Sequence, residues 1–346
     1  MGTKLKDIVI KKEIEYSELS GKVFVVDSFN VLYQFLTTIR MADGSPLMDS
    51  KGNITSHLNG IFYRSLNLMA KGLKLAFVFD GEAPSLKKKE RERRKELKEE
   101  AKVEYEIAKE REDVEGMKKY AGRTSTLTDE MVEEVKKLIK AMGMPVIEAP
   151  SEGEAQAAHI VKNGDAFAEI SQDFDCLMFG VPRLVRNLTT SEKRKMPGKL
   201  GYITIKPEII ELEENLKNLG ISQDQLIALC MLIGTDYNVG GIKGIGPKHA
   251  LKFVKEYPKV SDFDALFSKV EWDKYFEYPW KEVFNTIKNM PTSDKYELKW
   301  KSINKEAIKK LLVEEHDFSE KRIEESLEKF EKEKEKQSQR GLSQFF

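Results

Sequence analysis

The chain has 346 residues, 40% of them hydrophobic, which is enough apolar material to bury a substantial core. No apolar run reaches the roughly 18 residues of a membrane span, and the first residues lack the apolar segment of a secretory signal, so we predict a cytoplasmic protein without a membrane anchor. Its 58 basic and 58 acidic side chains give no net charge, so any function of charge depends on how the charges are arranged in the fold.

Four short apolar runs along the chain are each followed by acidic side chains. The runs 22–26 and 75–79 are rich in β-branched and aromatic residues, which predicts strands buried on both faces. Shorter runs of the same kind follow at 144–147 and 166–170. The acids after these four runs are Asp27, Asp80, Glu152, Glu154, Asp173 and Asp175.

Three segments with apolar residues at helical spacing alternate with these runs. They cover residues 55–74, 128–142 and 154–162. This alternation predicts an α/β fold, with a central, mostly parallel sheet flanked by helices in a single core domain over residues 1–330. Ligands of such sheets bind beyond the carboxyl ends of the strands, so we expect the acids to converge at one edge of the sheet.

The segment 81–126 interrupts the alternation and is very highly charged. It is most basic over residues 87–98. A charge run of this kind is ordinarily a solvated helix face. Here the run begins directly after Asp80, which favours the alternative that its cations neutralise the phosphates of a nucleic acid.

A further acid, Asp236, precedes a glycine-rich segment. The segment 240–251 resembles a phosphate loop but lacks the Gly-Lys-Ser/Thr ending of an NTPase loop, which disfavours ATP hydrolysis. Gly244 and Gly246 flank a tight turn, and a proline then begins a helix whose backbone N–H groups are candidates for holding a DNA phosphate. The pattern predicts a helix-hairpin-helix region at 222–258, with an ordinary interhelical turn as the alternative.

These acids have a chemical implication as a set. Carboxylates gathered at one place repel one another and lose hydration unless cations neutralise them. The two cysteines and four histidines form no zinc-site spacing, so the ligands would be oxygens, which Mg²⁺ prefers. The Glu-x-Glu and Asp-x-Asp pairs are compatible with two adjacent Mg²⁺ ions, for which Mn²⁺ can substitute, and such an ion pair hydrolyses phosphodiesters.

Five motifs occur in a fixed order along the chain. They are Val-Val-Asp27-Ser-Phe-Asn, Phe-Val-Phe-Asp80-Gly, Ala-Pro-Ser-Glu152-Gly-Glu154-Ala-Gln-Ala-Ala, Ser-Gln-Asp173-Phe-Asp175 and Ile-Gly-Thr-Asp236-Tyr-Asn. In order and spacing the whole chain resembles the flap endonucleases, structure-specific 5′ nucleases of DNA replication and repair, and most closely their archaeal members. The resemblance implies removal of 5′ flaps, as in Okazaki fragment maturation, together with 5′–3′ exonuclease activity.

The resemblance also implies roles for individual residues. Asp27, Asp80, Glu152 and Glu154 would lie mainly around one ion, and Asp173, Asp175 and Asp236 mainly around the other. Tyr33 would stack on the scissile nucleotide, while Lys87 and Arg94, at the base of a helical arch over 81–126, would stabilise the scissile phosphate. Residues implied to bind DNA are Arg64, Gly234, Asp236, Gly244, Gly246 and Lys248, with a K⁺ ion held by carbonyls of the hairpin.

The segment 331–346 is a charged run that ends in two aromatic side chains. It has no packing pattern of its own, which predicts a flexible tail. By the same resemblance, residues 339–346 match the Gln-x-x-Leu-x-x-Phe-Phe box that binds the sliding clamp (PCNA). Its anchors would be Gln339, Leu342, Phe345 and Phe346.

Three other functions fit part of the pattern. An aspartate-nucleophile phosphatase also places Asp-x-Asp after a strand, but it has no use for the hairpin or the charged segment. A non-catalytic DNA scaffold that recruits the clamp would not need the full set of carboxylates. A related nuclease that prefers bubbles, Holliday junctions or 5′ ends shares the motifs, although the short core and the clamp box argue against it.

We expect a monomer that acts on branched DNA at the nucleoid of an archaeal type of cell.

Overall fold

The structure is a computed structural model, and it describes residues 5–41, 43–111, 113, 116, 120, 124, 126–190, 193–195 and 201–343, with the backbone alone at 109, 193–195, 202–203 and 338–343. The chain divides into two compact units, each made of three segments. The first unit comprises Met1–Ile14, Val78–Arg93 and Glu148–Tyr296, and the second comprises Glu15–Phe77, Arg94–Ile147 and Glu297–Phe346. Among the described helices, none is long and apolar enough to cross a membrane.

Helices alternate with strands over the first two thirds of the chain. The strands are β1 (Lys12–Glu13), β2 (Val23–Asp27), β3 (Lys74–Phe79), β4 (Val146–Glu148), β5 (Ala168–Ile170), β6 (Arg183–Arg186), β7 (Lys193–Lys195), β8 (Tyr202–Thr204) and β9 (Glu208–Glu211). The helices are α1 (Tyr16–Leu19), α2 (Ser28–Thr38), α3 (Ser56–Ala70), α4 (Lys88–Glu110), α5 (Asp129–Ala141), α6 (Gly153–Lys162), α7 (Asp175–Met178), α8 (Leu212–Leu219), α9 (Gln223–Ile233), α10 (Pro247–Glu256), α11 (Phe263–Lys269), α12 (Trp280–Lys288), α13 (Lys305–Lys309) and α14 (Glu320–Ser343). A short 3-10 turn, Ser85–Lys87, precedes α4, and a π-helical turn, Lys310–Glu315, follows α13.

Seven strands form a mixed sheet in the order β1-β9-β6-β5-β2-β3-β4, while β7 and β8 pair separately. Strands β5 and β6 are parallel, with Glu169 opposite Leu184. Strand β9 runs antiparallel both to β6 and to β1. The predicted α/β class is confirmed, and the antiparallel edge is an addition to the mostly parallel sheet that the sequence predicted.

In the first unit, the helix α9 is almost completely buried along its length. It packs against α10 and α12, and the buried Gln225 amide donates to the carbonyl of Val254 over 2.6 Å. Residues of α9 are apolar on all faces because several elements surround the helix. The end of this rigid helix therefore fixes the position of the segment that contains Asp236.

In the second unit, α3 packs against α2, α5 and the long C-terminal helix α14. Helix α14 buries Ile323, Leu327 and Phe330 on one face. It then continues through the segment predicted as a flexible tail and remains helical to Ser343. The Gln337 amide donates to the carbonyl of Ala70, over 2.5 Å, at the end of α3. A Lys/Glu-rich run is a good helix former, and this contact holds it against α3.

Candidate active site

Asp80 follows strand β3 and faces the first residue of helix α6. The backbone N–H of Gly153 donates to Asp80 Oδ1 over 2.7 Å, so the carboxylate meets the positive end of the helix dipole. A Cβ at residue 153 would lie 2.7 Å from the same oxygen, which explains why glycine begins the helix. The Asp80 side chain retains exposed surface, but the dense protein around its carboxyl removes enough water to raise its pKa.

Glu152 and Glu154 are placed by the same helix start. Glu152 is the residue before the first turn of α6 and is only 4% exposed, while Glu154 lies half-buried within that turn. Burial raises the pKa of the Glu152 carboxyl, and the neighbouring carboxylates of Asp80 and Asp236 raise it further, against the lowering effect of Lys87. The Glu-x-Glu spacing thus places one buried and one half-buried carboxylate at the same helix start.

Lys87 links two of the predicted acids. Its ammonium donates to Glu152 Oε2 over 2.6 Å and lies 3.5 Å from Asp236 Oδ2. These two carboxylates and Glu154 raise the pKa of the Lys87 ammonium well above its ordinary value, although burial acts in the opposite direction. The ammonium is therefore charged and lies among the acids.

Asp236 is held in a compact turn at the end of α9. The Thr235 hydroxyl donates to Asn238 Oδ1 over 2.6 Å, and the Asn238 amide donates to the carbonyl of Met231 over 2.7 Å. Gly234 has a φ of +101°, and a Cβ there would lie 2.7 Å from the backbone nitrogen of Gly241. Glycine at 234 therefore allows the turn with Asp236 to pack directly on the next loop.

Tyr237 directly follows Asp236, and the Lys87 ammonium lies 6.0 Å from the centre of its ring; sequence reasoning assigned no role to it. The residue is only 2% exposed. Burial raises the pKa of its hydroxyl, and the charges of four carboxylates raise it further; these are Glu152, Glu154, Asp236 and Asp175. These acids come from three separate chain segments. The position of Tyr237 directly after Asp236 was the only signal in the sequence.

Asp173 and Asp175 follow strand β5. Asp175 begins helix α7 and is 8% exposed, and its charge, together with burial, raises the pKa of the Cys230 thiol on α9. Asp173 is half-buried, and its backbone N–H donates to Ser171 Oγ over 3.3 Å. Both acids therefore occupy the carboxyl end of β5, as the alternation of strands and helices predicts.

The donor set fits a hard divalent cation. In their present positions, no three carboxylate, imidazole or thiol groups of the described residues are close enough to share one metal ion; the Lys87 ammonium lies between Glu152 and Asp236 instead. The acids are nevertheless oxygen donors in a partly desolvated place, where burial raises the pKa values of Asp80 and Glu152. Oxygen donors of this kind are those that Mg²⁺ and Mn²⁺ prefer.

The remaining predicted acid and the predicted stacking tyrosine belong to the second unit. Asp27 ends β2, is 4% exposed, and accepts from the backbone N–H of Asn30 at the start of α2. Tyr33, on α2, is 38% exposed, and the Lys98 ammonium lies 5.0 Å from the centre of its ring. An exposed tyrosine with a cation over one face is a suitable surface for a base.

Arg64 and Arg94 are also in the second unit. Arg64 lines a groove of about 570 Å³ between α3 and α14, together with Tyr63 and Arg322. Arg94 is half-buried on α4. Helix α4 begins immediately after the 3-10 turn, so Lys87 and Arg94 both lie near its start. Most of 112–125, the later part of the predicted arch, lies outside the described residues.

The predicted hairpin lies between α9 and α10. Gly244 has a φ of +84°, and a Cβ on either Gly244 or Gly246 would face open space. Pro247 occupies the first turn of α10, and no side chain caps that helix start. Lys248 is exposed in the same turn. The N-terminus of α10 and its basic side chain are thus open to an anion.

The predicted clamp box is described only in part. The backbone at Gln339 and Leu342 belongs to α14. Phe345 and Phe346 lie outside the described residues.

Known proteins resemble this chain over nearly its full length. The XPG N-terminal domain matches residues 3–101 and the XPG I-region matches residues 143–236. Flap endonuclease 1 of Pyrococcus abyssi is 50% identical over 339 residues, covering 96% of this chain and 94% of that protein. This chain belongs to the flap endonuclease family. As a flap endonuclease it is a structure-specific nuclease of 5′ flaps, and nucleases of this family depend on metal ions.

Two further flap endonucleases are similar to this chain. Flap endonuclease 1 of Staphylothermus marinus is 49% identical over 353 residues, covering 100% of both proteins. Among solved structures, flap endonuclease-1 from Methanococcus jannaschii has a TM-score of 0.73 and 42% identity, covering 95% of this chain and 98% of that one. The catalytic core of Rad2 has a TM-score of 0.68 at 23% identity, which shows a common fold. Family membership excludes the phosphatase and the non-catalytic scaffold.

Proposed function

We propose that this flap endonuclease hydrolyses the phosphodiester at the base of a 5′ flap with two Mg²⁺ ions held by its acidic cluster. The observation that carries the proposal is that Glu152 and Asp236, from two chain segments, both contact the Lys87 ammonium, while Asp80 is bound at the helix start that Glu152 precedes. Such a concentration of negative charge is unfavourable without cations, and hard oxygen donors favour Mg²⁺.

The ligands divide into two groups. In the first unit, Asp80, Glu152 and Glu154 would hold one ion, and Asp173, Asp175 and Asp236 the other. Asp27 is assigned to the first group by family resemblance alone. When bound, the ions would activate water and stabilise the leaving oxygen. Mn²⁺ would serve as a substitute for Mg²⁺ because it accepts the same ligands.

Basic and aromatic residues would hold the DNA. We assign Lys87 and Arg94 to the scissile phosphate, because a cation there offsets the charge that develops during hydrolysis. The exposed ring of Tyr33 would stack on the scissile nucleotide, and Arg64 would contact a strand through the groove beside α3. The Rad2 core that shares this fold was solved with a DNA substrate, which supports DNA as the ligand.

The hairpin would hold duplex DNA by its backbone. The open loop around Gly244 and Gly246 lets a phosphate approach the start of α10, where Lys248 adds charge. The close packing of Gly234 on Gly241 joins this loop to the turn that carries Asp236. A K⁺ ion bound by carbonyls of the loop would complete this contact.

The end of the chain would recruit the sliding clamp. The box formed by Gln339, Leu342, Phe345 and Phe346 has the spacing of aromatic and aliphatic anchors that insert into a partner's pocket. The enzyme would work as a monomer at the nucleoid, with the clamp holding it on branched DNA.

Asp175→Asn tests the metal assignment. The substitution keeps the size of the side chain but removes a charge from the cluster, so we expect 5′-flap binding to persist and single-turnover cleavage in Mg²⁺ to fall by about two orders of magnitude or more. Asp264→Asn is the control, because Asp264 pairs with Lys281 on the surface of the same unit, and it should cut normally. Near-normal cleavage by Asp175→Asn would refute the assignment.

A further inference from the structure

The side chain of Lys87 enters the acidic cluster from the start of α4. Its backbone is fixed in the 3-10 turn, where its N–H donates to the carbonyl of Pro84 over 3.0 Å. The side chain is 17% exposed, and its ammonium contacts Glu152 and Asp236, whose side chains are 5% and 16% exposed. A lysine with a flexible stem thus places its charge inside the site and not in solvent.

The two contacted carboxylates belong to different groups of proposed metal ligands. Glu152 is assigned to one ion and Asp236 to the other, so the ammonium lies between the two groups. One positive charge cannot balance the surrounding acids, but it lowers their mutual repulsion, and a buried carboxylate requires such a partner. In this position the Lys87 ammonium partly neutralises the two carboxylates, as a metal ion would, but with a smaller charge.

A divalent ion and this ammonium compete for the same place. The ion would take the Glu152 oxygen that Lys87 binds at 2.6 Å, and two cations a few ångströms apart repel each other strongly in a partly desolvated site. The lysine stem has four rotatable bonds, so its ammonium can leave while the 3-10 turn stays in place.

We propose that Lys87 is an internal counterion of Glu152 and Asp236, and that metal ions displace its ammonium from these two carboxylates toward the bound phosphate. Metal binding then has two effects, since it fills the site and releases a cation to contact the substrate. The inference rests on the proposed metal role of Glu152 and Asp236.

Lysine side-chain NMR on the metal-free, full-length protein tests the displacement. An ammonium held by a carboxylate exchanges its protons slowly, and its Nζ signal is assigned by its loss in Lys87→Arg. We expect this signal to shift or vanish as MgCl₂ is added, in step with Mg²⁺ binding followed by calorimetry. Mg²⁺ saturation with an unmoved Lys87 signal would overturn the inference and leave the proposed metal site intact. Absence of Mg²⁺ binding would overturn both.

Two substitutions separate displacement from a general charge effect. Lys87→Met removes the competitor, so we expect it to bind Mg²⁺ about tenfold more tightly than the wild type, whereas Lys87→Arg keeps a competing cation and should stay near the wild-type affinity. Lys89→Met is the control. It removes the same charge from the same helix start, but the Lys89 ammonium pairs with the exposed Glu277 and not with the proposed metal ligands. Equal Mg²⁺ affinity in the Lys87→Met and Lys89→Met variants would contradict the proposal.

Discussion

Gly153 begins helix α6 and hydrogen-bonds the candidate metal ligand Asp80. Its N–H binds Asp80 at 2.7 Å because no side chain stands between them. Gly153 is the first residue of α6, and its backbone does not have the positive φ that would require glycine. Alanine is a better helix former than glycine at such a position. Glycine at this residue is therefore explained by the carboxylate and not by the helix.

Gly153→Ala should separate stability from activity. The added methyl group would push the Asp80 carboxylate off the helix start, and we expect single-turnover flap cleavage to fall by about tenfold or more. The midpoint of thermal unfolding should change little, because alanine favours the helix that the substitution enters. Unchanged cleavage would show that Asp80 does not need this hydrogen bond, and a large drop in unfolding temperature would show that the glycine is structural.

Single residues differ in how far sequence predicts them. Asp80 and Asp175 follow apolar runs, so their positions at strand ends are predictable from local pattern. The contact of Lys87 with Glu152 joins residues 65 positions apart, and nothing in either local sequence indicates it. Tyr237 likewise lies near residues remote in sequence, since its carbonyl accepts from the Tyr278 hydroxyl and the Lys87 ammonium lies 6.0 Å from its ring, which is why its burial was missed.

Among the elements, the C-terminal helix departs most from the sequence-based prediction. The charged run after Phe330 has no apolar periodicity, which predicted flexibility, yet its Lys and Glu residues favour a helix. Phe330 and Gln337 attach that helix to the second unit, Phe330 by burial and Gln337 by its bond to Ala70. A helix whose first turns are packed on the protein can therefore continue into a charged segment that has no apolar face of its own.

Two truncations test how this helix divides its roles. Deleting residues 339–346 should abolish stimulation by the sliding clamp while sparing intrinsic cleavage and stability. Deleting residues 331–346 also removes the Gln337 contact, and we expect the free energy of unfolding in urea to fall by about 1 kcal/mol more. Clamp stimulation that survives either deletion would disprove the box, and equal stability of the two truncations would show that the contact with Ala70 contributes nothing.

At the scale of the whole molecule, the α/β class was predictable because four strand-like runs alternate with amphipathic segments. The antiparallel edge was not, since β9 offers only Ile209 and Ile210 between two glutamates and β1 is two exposed residues long. Each of these two strands is stabilised by hydrogen bonding to a strand that is distant in sequence, as in the pairing of Lys12 with Ile209. The division into two units of three segments each also depends on contacts far apart in sequence.

The substrate follows from family membership, while the proposed metal ligands would account for the chemistry. The most direct test of both compares product lengths on 5′-flap, 3′-flap, bubble and blunt duplex DNA, with and without Mg²⁺. We predict one dominant Mg²⁺-dependent cut at the base of the 5′ flap and much slower cutting of the other substrates. Equal cutting of all four substrates, or cleavage of the 5′ flap in the presence of a chelator, would contradict a metal-dependent flap endonuclease.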